Sequence, residues 1–190
     1  MINEKKLRSL IKNASKDTIN LSYEELKEKY ISSFGIDKWC EEEMLGRLID
    51  LSIEVSNYLG IEMLPIVFEE MIDDARIYFD DGYIAINQKH KDNFIECAKS
   101  ITHELRHLYQ AIYSITSSDN RFKRMRRELQ NPVELDPNDI YSITKYTLQE
   151  IEIDAYAFSK WYLKTKLGID VIHPSPSYET IINDYIDKYF

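Results

Sequence analysis

Cysteine is scarce in this chain: two residues, Cys40 and Cys97, in 190. They are far apart and form no C-x-x-C pair, which excludes a disulfide-built scaffold and a cysteine-ligated structural zinc site. Both read as small core residues in a protein of a reducing compartment, with a cytoplasmic location expected. Positive charge is also short. Lys and Arg number 24 against 33 Asp and Glu, a net charge of -9. That argues against nucleic acid or an anionic membrane as the main partner. No apolar run is long enough to span a bilayer, and residues 1–6 lead into no apolar segment of the kind a signal peptide needs. Glycine is scarce too, with 5 residues, while Lys, Ile, Asn and Tyr are plentiful. At this length the chain makes one domain, or one domain with an appendage, and can bury a sizeable core.

What is present is His103-Glu104-Leu105-Arg106-His107. On a helix, residues four apart lie on one face, so His103 and His107 can reach a single metal ion. Glu104 is rotated about 100° from His103. Its carboxylate can therefore address a water on the metal as a general base. Phe94, Ala98, Ile101, Leu105, Leu108 and Ile112 form a narrow apolar stripe along the same helix. The histidines fall on the far side, in line with Glu96, Ser100, Gln110 and Ser114. There they are either exposed or lining a cleft, and a third ligand decides between the two.

Tyr146 to Phe158 holds neither Gly nor Pro and reads as a helix. Glu150 and Asp154 share its apolar side with Ala157, Phe158 and Trp161, while Glu152 falls roughly opposite. Carboxylates on an apolar face need compensating charge. Zinc would supply it for Glu150, and a ligand histidine's free ring N–H would supply it for Asp154. The plain alternative is a buried salt bridge from each to Lys or Arg, and Glu152 is the alternative ligand. Three protein ligands leave a tetrahedral position open, as catalytic zinc sites do. His90, in a charged turn, reads as solvated. His173, beside Pro174 in a loop, reads as a surface residue, or else as one that competes with Tyr141 and Tyr146 for a role in stabilising an oxyanion.

H-E-x-x-H followed by Glu150-x-x-x-Asp154 resembles the gluzincin metallopeptidases. Glu150-Ile-Glu152-Ile-Asp154-Ala-Tyr156-Ala157 is similar to a segment of the ImmA/IrrE-type minimal metallopeptidases, as is Tyr83 to Asn87 ahead of the first helix. The resemblance covers roughly residues 65–165. It implies His103, His107 and Glu150 as ligands of Zn²⁺, Glu104 as general base, Asp154 holding a ligand histidine, and a peptide or protein as substrate.

The expected fold is α+β and mostly helical, with a small antiparallel or mixed sheet ahead of the active-site helix, as in a zincin. Residues 3–59 read as helical, with a capping box at Ser22 and a helix stop at Gly60. Pro65 marks the change of texture, which gives an N-terminal helical region over 1–64 and a catalytic domain over 65–190. Ile66 to Glu69, Ala75 to Phe79 and Tyr83 to Asn87 read as strands, with a turn at Asp80-Asp81-Gly82. Tyr83 to Asn87 is the candidate edge strand for an extended substrate, or else a plain structural hairpin. Arg121 to Arg127 is a basic run in an acidic protein. It reads either as a solvated helix paired with acidic surface or as a recognition element beside the metal. Serine 177 to the C-terminus reads as a closing helix. Beside the peptidase stand two rivals: a zinc-containing regulatory protein that captures a partner, and a helical interaction protein with a chance motif.

Overall fold

The computed structural model describes residues 42–190 except 134 and 137. The helices expected over residues 3–41, and Cys40, lie outside the described residues. The fold is α+β and mostly helical. The order is α1 (Glu42–Leu59), β1 (Ile66–Glu69), β2 (Ala75–Tyr78), β3 (Tyr83–Asn87), α2 (Phe94–Thr116), α3 (Asn120–Gln130), α4 (Ile140–Thr147), α5 (Glu150–Leu167) and α6 (Pro176–Tyr189).

Helix α1 buries Leu45, Leu48, Leu51, Val55 and Leu59. It ends at Gly60, whose φ of 66° is left-handed and whose neighbour Ile61 donates to the Ser56 carbonyl. The strands form a mixed sheet in the order β1-β3-β2. β1 runs parallel to β3, with Ile66 opposite Ile84, and β2 runs antiparallel to it, with Ile77 opposite Ile84. Tyr83–Asn87 is therefore the central strand, not an edge. Both its sides are taken by ladders, and its Ile84, Ala85 and Ile86 are fully buried. Among the described residues β1 and β2 are the edges, and β2, expected as a strand but not as the substrate edge, lies against α2.

One core joins α1, the sheet, the apolar stripe of α2 and Phe158, Tyr162 and Leu163 of α5. Leu48 and Ile84 share it, so the core is continuous across the change of texture at Pro65. No helix among the described residues is long and apolar enough to cross a membrane.

The helix read through Tyr146 to Phe158 is broken. Helix α4 ends at Thr147, Gln149 adopts an extended backbone, and α5 begins at Glu150. The cause is tertiary. Both carboxylate oxygens of Glu128, on α3, accept the backbone N–H groups of Glu150 and Ile151, at 3.2 and 2.9 Å. That satisfies two of the donors a helix start leaves open.

Candidate metal centre

Helix α2 is buried on two sides. Its apolar stripe faces the sheet and α1, and its polar face, carrying Thr102, Arg106, His107, Gln110 and Ser114, is buried as well. The polar face packs on α5, so the histidines line a closed seam between two helices. Such a seam needs every polar group paired. Thr102 Oγ1 and Ser159 Oγ lie 2.6 Å apart across it, and Gln110 donates to the Ile151 carbonyl at 2.9 Å.

His103 and His107 stand one turn apart, with their Nε2 atoms 2.9 Å from each other. Glu152 of α5 completes the group, its Oε2 3.4 Å from His103 Nε2 and its Oε1 3.5 Å from His107 Nε2. These are the three residues among those described whose donor atoms converge tightly enough for one metal ion. Ligand atoms about 2.0–2.1 Å from a tetrahedral zinc stand about 3.3 Å from each other. The two His–Glu distances, each to a different oxygen of Glu152, are close to that spacing, and the imidazoles sit slightly closer. Two nitrogens and one carboxylate oxygen form a donor set that suits Zn²⁺.

Burial alone would lower the His107 pKa, but the Glu152 carboxylate beside it holds it up at about 9. Burial alone would likewise raise Glu152, and the two imidazoles outweigh it, holding that carboxyl well below the usual carboxylate range. Glu104 is buried at 6 % exposure, beside the histidines and at the sheet edge, where it accepts the Ile77 backbone N–H. Burial raises its pKa against the opposing pull of His107 and His103. Tyr146 donates its hydroxyl to Glu152. The Tyr156 ring packs edge-on against His103, with centroids 4.5 Å apart.

Comparisons with known family models, curated proteins and solved structures find no match.

The structure brings together His103, His107 and Glu104, and the carboxylate beside the two histidines is that of Glu152, not Glu150. Glu150 stands at the first position of α5, facing α3, where Arg124 takes its carboxylate through two nitrogens. Asp154 touches neither histidine. Its oxygens accept Arg106 Nε at 2.7 Å, Arg106 Nη2 at 3.0 Å and Gln110 Nε2 at 2.8 Å. Asp154 thus has the buried salt bridge given as the plain alternative, while the Arg124 that pairs with Glu150 is 47 % exposed. Around α5, Glu152 and Asp154 lie about 200° apart, so they grip α2 from opposite sides of the seam.

The basic run proves to be a brace. Phe122 and Met125 bury against Ile151, while Arg124 pairs with Glu150 and Arg121 Nη1 lies 3.7 Å from Asp154. His90 is not solvated: its side chain is 14 % exposed and pairs with Asp74 at 2.9 Å. His173 packs on Tyr156 and Tyr178, so Tyr156 stands between it and His103. Tyr141 is 72 % exposed, which leaves Tyr146 as the tyrosine of that pair beside the cluster. Sequence reasoning assigned no role to Gln110, Arg106 or Tyr156. Gln110 did carry a signal, because it falls on the histidine side of the α2 wheel.

Proposed function

We propose that this protein is a zinc-dependent metallopeptidase of the cytoplasm, with the metal held by His103, His107 and Glu152 and with Glu104 as general base. The observation that supports it is the convergence of three donor atoms from two helices beside a second, buried carboxylate, that of Glu104. When bound, zinc supplies a Lewis acid that lowers the pKa of a water and polarises a peptide carbonyl. Glu104 takes the proton of the attacking water and passes it to the leaving amine. Its acceptor bond from Ile77 fixes it beside β2, an edge strand of the sheet to which an extended substrate would add. Tyr146 holds the Glu152 carboxylate in place, and Tyr156 walls the His103 side.

A second reading is favoured by the closure of the site, whose His103, His107 and Glu152 side chains are 14, 11 and 7 % exposed. It is a zinc-containing regulatory protein that acts by capturing a protein partner. Glu104→Gln separates the two. With a peptide library as substrate and mass spectrometry as readout, the enzyme reading expects zinc retained and cleavage reduced by about 10²–10⁴-fold. Zinc-loaded wild type that cleaves nothing in the library, or a variant that cleaves like wild type, would overturn it.

A further inference from the structure

The hydrogen bonds behind the metal centre run in one direction. Asp154 is fully buried, and both of its oxygens face the Arg106 guanidinium, at 2.7 and 3.0 Å. A bidentate guanidinium makes it an ionised carboxylate, which can only accept. Gln110 Nε2 lies 2.8 Å from Asp154 Oδ2 and 2.9 Å from the Ile151 carbonyl oxygen. Neither oxygen carries a proton, so the amide nitrogen must face them. Turning the amide over would aim its own oxygen at two acceptors. Gln110 Oε1 therefore points at His107 Nδ1, 2.8 Å away. That oxygen cannot donate, so His107 Nδ1 carries the hydrogen.

From this chain of constraints we infer that Gln110 is a positioning residue that fixes His107 in the Nδ1–H tautomer. In the neutral ring the lone pair on Nε2 then faces His103 and Glu152, which lie 2.9 and 3.5 Å from it. The Arg106–Asp154 pair acts on the metal centre through this amide without touching a ligand. His103 has no counterpart, since its Nδ1 is buried with no hydrogen-bond partner among the described residues. The two histidines are thus unequally held, and His107 is the pre-oriented one. The consequence for metal binding rests on the zinc reading; the tautomer does not.

Two measurements test this separately. Zinc affinity, by competition with a chelator, is expected to fall about 10–100-fold in Gln110→Leu, the usual effect of removing a group that orients a ligand histidine. Thr102→Ala breaks a different bond across the same helix pair, Thr102 Oγ1 to Ser159 Oγ at 2.6 Å, and is expected to leave affinity unchanged. An unchanged Gln110→Leu, or an equal loss in Thr102→Ala, would overturn the positioning role. Long-range ¹H–¹⁵N NMR on the metal-free wild type, at a pH that leaves His107 neutral, is expected to show hydrogen on Nδ1. Hydrogen predominantly on Nε2 would overturn the inference. This second arm decides it even if the chain binds no zinc or the leucine variant does not fold.

Discussion

Asp154→Ala is the most informative perturbation of the α2–α5 seam. Asp154 is 0 % exposed and Arg106 5 %. Removing the carboxylate leaves the Arg106 guanidinium and the Gln110 amide facing each other with no acceptor between them. Breaking a buried ion pair from one side costs about 3–5 kcal/mol, and that range is expected here. Arg106→Met is milder. It leaves Asp154 with the Gln110 donor at 2.8 Å and Arg121 at 3.7 Å, so about 2–3 kcal/mol is expected. The double variant Arg106→Met/Asp154→Ala removes both charges together. It should be more stable than the sum of the single changes predicts, with a coupling of about 1–3 kcal/mol. Urea unfolding followed by circular dichroism, with chelator present so that metal binding does not contribute, gives these differences. Additive single effects, or an Asp154→Ala loss under about 1 kcal/mol, would show that the pair is solvated and refute the reasoning.

Two further outcomes follow from the packing. Glu128→Ala removes the carboxylate that accepts the Glu150 and Ile151 N–H groups, so a loss of about 1 kcal/mol is expected in the same unfolding assay. Glu179 supplies an acid-side effect. Burial would raise its pKa, but Lys160 and the His173 backbone N–H outweigh it and hold the carboxyl below its usual range. A lowered folded pKa means stability present above the unfolded value of about 4.3 and lost as pH falls through the folded one. Glu179→Gln should therefore flatten the decline of thermal midpoint with pH below about 5, and an unchanged slope would remove Glu179 from the acid transition.

Local signals carried much of this fold. The apolar stripe from Phe94 to Ile112, the three strands around Gly82 and the stop at Gly60 all follow from periodicity and turn chemistry, and each is where it was read. What failed was tertiary. Nothing between Tyr146 and Phe158 announces the break at Gln149, because the group that caps the new helix, Glu128, lies more than twenty residues earlier. Glu150, Glu152 and Asp154 keep their relative phase within one helix, and the third donor is decided by which face of α5 meets the histidines, the one that carries Glu152. The order of strands was equally hidden. A hairpin reading of β2 and β3 cannot reveal that β1 adds in parallel on the far side and leaves β2, not β3, at the edge. Periodicity alone also leaves the histidine face of α2 open between exposure and a cleft. Polar residues there imply exposure only when no second helix brings matching partners, and α5 brings Glu152, Asp154 and Ser159.

The central claim is a zinc ion on His103, His107 and Glu152, and metal content measures it directly. Purified wild type, Glu150→Ala and Glu152→Ala are supplied with zinc, desalted and analysed by elemental mass spectrometry. About one zinc per chain is expected in wild type and in Glu150→Ala, with the metal lost in Glu152→Ala. A wild type without zinc, or zinc lost in Glu150→Ala and kept in Glu152→Ala, would contradict the account.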